Sequence, residues 1–174
     1  MQLTMNGRNA LITGGSLGIG RAIAARFLES GANVAIVARR QAMLDEAKGA
    51  LASKGSGKIV TIAADVATAE GCATACRTAL AELGQVDVLV NNAGIYHVAN
   101  AEQTSDDAWT ETIAINLNAP FFLSREAIPY LRDTKGSIVN IASDWGLAGG
   151  KNAVAYCASK GGIVLMTKAM ALDH

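Results

Sequence analysis

A tyrosine and a lysine in the last helix-forming stretch of the chain are spaced for shared chemistry. In AYCASKGG, residues 155–162, Tyr156 precedes Lys160 by four positions. Positions i and i+4 lie on one face of a helix, so the phenol oxygen and the ammonium can approach one point. A phenol ionises at about pH 10, and an adjacent cation favours the phenolate. The pair could therefore give or take a proton, although this spacing also arises by chance on many helices.

A glycine-rich turn near the start of the chain is a candidate phosphate site. TGGSLGIG, residues 13–20, follows an apolar run and precedes a helical pattern, with Gly14, Gly18 and Gly20 spaced G-x-x-x-G-x-G. The dinucleotide fingerprint G-x-G-x-x-G differs in spacing but shares the physics. Glycines let the backbone turn tightly and approach a pyrophosphate at the helix N-terminus, and Ser16 can add a hydroxyl contact. The alternative is a glycine-rich turn that holds no ligand.

The residues after the second apolar run bear on the choice of dinucleotide. NAD-binding folds usually carry an acid there, which holds the adenosine ribose hydroxyls. This chain reads VARRQ, with Ala38, Arg39 and Arg40 in that region. A guanidinium suits a 2′-phosphate, so the pattern favours NADP over NAD. Two solvated arginines at a strand end are the alternative interpretation.

The elements that must position these residues alternate along the chain. Strands are predicted over residues 9–13, 33–37, 58–65, 86–94 and 137–143. Helices are predicted over residues 18–31, 41–55, 68–84, 105–133 (with a disturbance near Pro120) and 153–172. Strands that are apolar on both faces indicate a parallel sheet covered on both sides. We therefore predict a doubly wound α/β fold that binds ligands at the carboxyl ends of its strands.

Length and composition narrow the class of protein. The 174 residues predict a single domain, and a formal net charge of zero gives no sign of a nucleic-acid partner. We see neither a signal peptide nor an apolar run long enough for a membrane span. Cys72 and Cys76 share a helix face, which could hold a metal, but two small buried thiols are the preferred interpretation. The expected location is a reducing one, the cytoplasm.

Five motifs in order resemble those of the short-chain dehydrogenase/reductase family, from about residue 8 to the last residue. TGGSLGIG is similar to its TGxxxGxG turn, NNAG (91–94) to its fourth-strand motif and YCASK to its YxxxK pair. Ser143 lies thirteen residues before Tyr156, where the family has its catalytic serine, and Asn116 lies where a fourth catalytic residue is often found. The resemblance implies a Rossmann-like sheet of strand order 3-2-1-4-5 with helices on both faces.

The resemblance also implies a role for each matching residue. Tyr156 would be the proton donor and acceptor, with Ser143 and Lys160 beside it, and Asn116 would hold a water that relays protons through Lys160. Trp145, Leu147 and the 95–103 loop would face a small-molecule carbonyl or alcohol. No metal is implied. The NADP-binding set would comprise Gly14, Ser16, Leu17, Gly18, Ile19, Gly20, Arg39, Arg40, Asp65, Val66, Asn92, Ala93, Gly94, Tyr156 and Lys160.

The chain ends at KAMALDH, inside a predicted helix. Members of the family usually continue into two more strands and a substrate-covering segment, so we expect a C-terminally truncated domain over 1–174. A homo-oligomer formed through helices 105–133 and 153–172 is also expected if the missing segment is supplied, and an aggregation-prone species if it is not. One alternative is a truncated nucleotide-binding module without turnover. Another, a sugar-nucleotide epimerase or dehydratase, is disfavoured because those relatives usually carry G-x-x-G-x-x-G.

Overall fold

The structure is a computed structural model that describes residues 4–174. Its sheet has five parallel strands in the order β3-β2-β1-β4-β5, which confirms the predicted fold and strand order. The strands are β1 (Asn9–Thr13), β2 (Asn33–Ala38), β3 (Ile59–Ala63), β4 (Val88–Asn91) and β5 (Ser137–Asn140).

Within residues 4–174, six α-helices connect or follow these strands. They are α1 (Gly18–Glu29), α2 (Gln41–Leu51), α3 (Ala69–Leu83), α4 (Asp106–Ile113), α5 (Ala119–Thr134) and α6 (Val154–Asp173). The helix predicted over 105–133 is interrupted by a π-helical segment, Ala114–Asn118, immediately before Pro120. The hydroxyl groups of Thr68 and Ser105 cap the starts of α3 and α4, as expected for these residue types.

Two apolar layers cover the sheet. Along β1, Leu11 packs into the layer formed with α3 and α5, whereas Ala10 and Ile12 pack into the layer formed with α1 and α2. All three side chains are almost fully buried. A strand whose alternate residues are apolar on both faces can lie only in the middle of such a sandwich, and β1 is the central strand.

An ion pair fixes the amino ends of β1 and β4. The Asp87 carboxylate accepts hydrogen bonds from the backbone N–H of Asn9, at 2.8 Å, and from the Arg8 guanidinium, at 2.8 Å. Burial of this carboxyl opposes ionisation, but these bonds and one from Gln85 keep its pKa below the usual value. The carboxylate therefore ties the two central strands together at the end opposite the candidate site.

Two cysteines of α3 lie within the apolar core. Burial raises the pKa of Cys72 to about 11 and that of Cys76 to about 12, so both are neutral thiols near pH 7. Within residues 4–174, no group of three or more His, Cys, Asp or Glu side chains is arranged to hold a metal ion. None of the helices over the same residues is long and apolar enough to cross a membrane.

Candidate functional site

The carboxyl ends of β1, β2, β3 and β4 surround a cavity of about 280 Å³. Loops from four strands reach it, as expected at the point where strand order reverses in a doubly wound sheet. Nine of its lining residues belong to the cofactor-binding set predicted from the sequence: Gly14, Ser16, Leu17, Arg39, Arg40, Asp65, Val66, Ala93 and Gly94.

The glycine turn after β1 has backbone geometry that favours glycine. Gly14 and Gly18 have φ angles of 64° and 52°, in the left-handed region. A Cβ on Gly20 would collide with the carbonyl oxygen of Gly14 and lie 2.5 Å from the Asn92 Nδ2 atom. The turn can therefore close tightly onto the loop after β4 only with hydrogen in place of a side chain at residue 20.

The N-terminus of α1 has no capping side chain among residues 4–174. Leu17 occupies the N-cap position and provides no capping hydrogen bond, in contrast to Thr68 and Ser105. Free N–H groups at a helix N-terminus attract anions. Leu17 and Ile19 are exposed there, and Ser16 is buried against the cavity. This arrangement fits a phosphate group covered by an apolar rim.

The ends of β2 and β3 form the opposite side of the cavity. Arg39 and Arg40 are exposed, and neither forms an ion pair with any of residues 4–174. Asp65 and Val66 follow β3, and the Asp65 carboxylate accepts a hydrogen bond from the Ala67 N–H at 3.1 Å. This side of the cavity thus carries two guanidinium groups and one carboxylate, a formal excess of positive charge beside the uncapped start of α1.

Thr13 joins the glycine turn to the loop after β4, and the sequence analysis missed it. Its hydroxyl oxygen accepts hydrogen bonds from the N–H groups of Asn92 and Ala93, both at 3.1 Å. The Asn92 amide in turn donates to the carbonyl oxygens of Thr13, at 3.0 Å, and Gly14. The Asn92 amide nitrogen is thus engaged in shaping the cavity. A buried threonine at the end of an apolar strand was the available signal.

Lys160 is buried at the end of the sheet, one helical turn after Tyr156. Its Nζ atom donates a hydrogen bond to the Ile141 carbonyl oxygen at 2.6 Å and lies 5.7 Å from the centre of the Tyr156 ring. Burial lowers the pKa of Lys160 below its ordinary value. The predicted pairing on one helix face is therefore present, and the ammonium is held by backbone that follows β5.

Ser143 begins the short 3-10 turn Asp144–Gly146, which packs on α6. Its hydroxyl donates to the Asp144 Oδ1 atom at 2.9 Å, and its oxygen accepts the Trp145 N–H at 3.2 Å. A Cβ on Gly146 would lie 2.6 Å from the Lys160 carbonyl oxygen, so glycine allows this close contact with α6. The centres of the Trp145 and Tyr156 rings are 6.0 Å apart, and the rings pack edge to face.

Asn116 lies in the π-helical segment and is 1% exposed. Its Oδ1 atom accepts the Ile95 N–H at 2.8 Å, and its Nδ2 atom donates to the Ile95 carbonyl oxygen at 2.9 Å and to the Ser159 hydroxyl at 3.2 Å. A Cβ on Gly94 would lie 3.5 Å from Oδ1 of Asn116 and 3.8 Å from Nζ of Lys160. The asparagine thus fixes the loop after β4 beside the lysine.

The structure therefore brings the predicted site residues together in two connected parts. The glycine turn, the arginines and the β3 end surround the cavity, while Tyr156, Lys160, Ser143 and Trp145 cluster where β5 meets α6. Gly94 and its neighbours link the two parts. A phenol, an ammonium and a hydroxyl close to a cavity lined by a glycine turn and two arginines are suited to proton transfer.

The comparisons with known proteins agree with this arrangement. The profile of the short chain dehydrogenase family matches residues 8–174. A meso-2,3-butanediol dehydrogenase of Serratia marcescens is 37% identical over 94% of this chain and 64% of its own length. A D-beta-hydroxybutyrate dehydrogenase of Cupriavidus necator is 39% identical over 97% of this chain and 66% of its own.

A solved structure is also similar. A protein from Sinorhizobium meliloti 1021, assigned to the short-chain alcohol dehydrogenases, has 36% sequence identity and a TM-score of 0.94, covering 99% of this chain and 69% of its own. The fold is a doubly wound α/β sheet, and the candidate site lies at the carboxyl ends of its strands. The chain belongs to the short-chain dehydrogenase family, and it spans 64% and 66% of the two curated relatives named above.

Proposed function

We propose that this protein is an NADP-dependent oxidoreductase that interconverts a carbonyl compound and an alcohol. The observation that carries the proposal is the buried ammonium of Lys160, 5.7 Å from the Tyr156 ring at the end of the nucleotide groove. An isolated buried ammonium is costly, so its position beside a phenol calls for a function. The family membership supports oxidoreductase chemistry, and relatives named for butanediol and hydroxybutyrate support a small-molecule substrate.

Each catalytic side chain then has one task. Tyr156 gives a proton to the carbonyl oxygen during reduction and takes it from the hydroxyl during oxidation. Ser143 hydrogen-bonds the same oxygen as charge develops on it. In the oxidative direction the Lys160 ammonium, 5.7 Å from the centre of the Tyr156 ring, provides a positive charge beside the group that accepts the proton. Asn116, whose amide holds the backbone of Ile95 beside that lysine, would keep a water for proton relay in place through this loop. The cofactor supplies or accepts the hydride.

The residues of the groove fit NADP on the observations of this structure. The uncapped start of α1 and the glycine turn suit the pyrophosphate, and Arg39 and Arg40 suit a 2′-phosphate. Asp65 and Val66 would meet the adenine, and Lys160 would hold the nicotinamide ribose. We propose that residues 1–174 act as one nucleotide-binding unit in the cytoplasm.

The Tyr156→Phe variant tests the catalytic assignment, because it removes only the titrating hydroxyl. We expect turnover of NADPH with a panel of ketones to fall about 10²–10⁴-fold, while NADPH binding, followed by nicotinamide fluorescence, is retained. Tyr130→Phe is the matched control, since Tyr130 is exposed on α5 away from the groove. It should turn over and bind as the unchanged chain does.

The outcomes separate the two hypotheses drawn from the sequence. Near-normal turnover in Tyr156→Phe would end the catalytic assignment. Saturable NADPH binding without turnover of any carbonyl or alcohol by the unchanged chain would instead identify a nucleotide-binding module. Absence of both binding and turnover would reject the proposed function altogether.

A further inference from the structure

A carboxylate stands directly beside the proposed catalytic hydroxyl. The Ser143 Oγ atom donates to Oδ1 of Asp144 at 2.9 Å, and the Trp145 N–H donates to the same Oδ1 at 2.9 Å. An ionised carboxylate only accepts hydrogen bonds, so Ser143 is the donor of this pair, and its hydroxyl hydrogen can rotate from Asp144 to a substrate oxygen. Two donors from its own turn therefore lock the Asp144 side chain against Ser143.

The second oxygen of this carboxylate is open to a ligand. No group among residues 4–174 donates a hydrogen bond to Oδ2, and the Asp144 side chain is exposed. A substrate oxygen bonded to Ser143 Oγ lies within about 6 Å of Asp144 Oδ1, since one hydrogen bond of 2.9 Å and one of ordinary length separate them. A hydroxyl on the carbon next to the reacting carbon is thus within reach of the carboxylate.

An aromatic wall faces the same region. The rings of Tyr96 and Trp145 are 5.7 Å apart, and those of Tyr96 and Tyr156 are 5.3 Å apart, all packed edge to face. The Tyr96 hydroxyl donates to the Asn152 carbonyl oxygen at 3.2 Å, and a Cβ on Gly150 would lie 2.5 Å from the Trp145 ring. Both rings are therefore fixed, and they offer an apolar surface to a carbon skeleton.

The charges nearby leave this carboxylate uncompensated. Neither Lys160, whose ammonium is bonded to the Ile141 carbonyl oxygen, nor the exposed Lys151 forms an ion pair with Asp144. A second carboxylate placed on the substrate beside its reacting carbon would be repelled, whereas a hydroxyl there would gain a charge-assisted hydrogen bond. Attraction and repulsion then act on the same position of the substrate.

We propose that Asp144 is a specificity-determining residue, and that the site takes neutral vicinal diols and α-hydroxyketones in preference to hydroxy acids. The inference rests on the proposed function for the reaction itself. In oxidation, the C–H hydrogen leaves as hydride to the oxidised nicotinamide, and the hydroxyl proton passes to Tyr156. A vicinal diol thereby becomes an α-hydroxyketone.

Three probes that differ in a single substituent test this inference. Propane-1,2-diol, propan-2-ol and lactate share the CH₃–CH(OH) group and carry CH₂OH, CH₃ and COO⁻ on the reacting carbon. With the full chain and NADP⁺, we expect kcat/KM for the diol to be at least tenfold above that for propan-2-ol, with lactate the poorest. This order of kcat/KM values is measured on the unchanged chain, so it does not depend on whether a variant folds.

The Asp144→Asn variant then assigns the ranking to the carboxylate. Its amide oxygen can still accept the Trp145 N–H, so the turn is retained while the charge is lost. We expect the diol-to-lactate ratio of kcat/KM to fall at least tenfold. Asp133→Asn removes the same charge from an exposed position on α5 and should leave the ratio unchanged.

Two results would overturn the inference. The first is a kcat/KM for lactate equal to that for the diol in the unchanged chain. The second is a diol-to-lactate ratio of kcat/KM that does not change in Asp144→Asn. In both cases, turnover of a probe still supports the proposed oxidoreductase. If none of the probes is turned over, the ketone panel still decides the proposed function, and saturation-transfer NMR with NADP⁺ present decides the specificity. Transfer from the protein to the diol but not to lactate supports the inference, and equal or reversed transfer overturns it.

Discussion

At the residue scale, the spacing of residues in the sequence predicts some contacts of the site but not others. Tyr156 and Lys160 share a helix face at i and i+4, so the sequence alone predicted their proximity, and the structure has it. The Ser143–Asp144 hydrogen bond joins adjacent residues whose turn geometry no periodicity predicts. The packing of Tyr96 on Trp145 and Tyr156 depends on the tertiary fold, and the sequence suggested only that the 95–103 loop and Trp145 face the substrate.

Arg39 provides the prediction at this scale. We expect NADPH to bind at least about tenfold more tightly than NADH, a difference of about 1.4 kcal/mol that one charge-assisted contact can supply. Arg39→Ala should narrow this ratio by weakening NADPH binding and leaving NADH binding nearly unchanged. Fluorescence titration of both cofactors measures the ratio. Arg132→Ala, which removes an exposed arginine of α5, is the control. Equal affinities in the unchanged chain would contradict the prediction.

At the scale of the elements, the period of the apolar residues located the five strands and the main helices, although α4 and α5 were predicted as one helix and the 3-10 turn was not predicted. The strand predicted over 86–94 ends at Asn91 because Asn92 and Ala93 turn to donate to Thr13. The helix predicted over 105–133 contains the π-helical segment 114–118, in which Asn116 bonds both backbone groups of Ile95. The helix propensity of residues 114–118 does not reveal their contact with Ile95. From the sequence, Pro120 therefore indicated only the approximate position of the π-helical segment.

Contact between the 3-10 turn and α6 yields a prediction for Gly146. Gly146→Ala would place a Cβ 2.6 Å from the Lys160 carbonyl oxygen, and helix backbone cannot easily yield. The turn must shift, so Ser143 moves relative to Tyr156. We expect turnover to fall about 10²-fold and unfolding free energy to drop by about 1–3 kcal/mol, with NADPH binding retained.

The neighbouring glycine supplies the matched comparison. A Cβ on Gly149 would meet nothing within 4 Å, so Gly149→Ala should keep both turnover and melting temperature. Steady-state kinetics and thermal melting of the two variants separate a steric effect at Gly146 from a general loss of glycine flexibility. Identical behaviour of the two alanine variants would refute the role given to the 3-10 contact.

At the scale of the whole molecule, apolar side chains remain on the outer faces of three helices. Trp109 on α4, Phe121 and Tyr130 on α5, and Leu165 on α6 are each more than two fifths exposed. The Arg125 guanidinium lies 5.7 Å from the Phe121 ring, so this surface combines aromatic and cationic groups. Such surfaces mark interfaces between proteins, which supports our proposal that the protein self-associates through α4, α5 and α6.

Self-association is tested by sedimentation of the purified chain. We expect a symmetric dimer or a larger closed oligomer. The double variant Phe121→Asp, Leu165→Asp should raise the dissociation constant of this oligomer at least tenfold. Ala50→Asp adds the same charge to the exposed side of α2 and should leave the assembly intact. A monomer at all concentrations in the unchanged chain would remove the proposal.

Because β1 is the central strand, its neighbouring strands become available for pairing at different times during synthesis. Asn9 bonds the Asn33 side chain 24 residues later and the Asp87 side chain 78 residues later. A ribosome that adds about 5–20 residues each second delivers the Asp87 partner about 4–16 s after Asn9. During that interval one edge of an apolar strand has no neighbour, so the nascent chain must be shielded from other chains until β4 emerges.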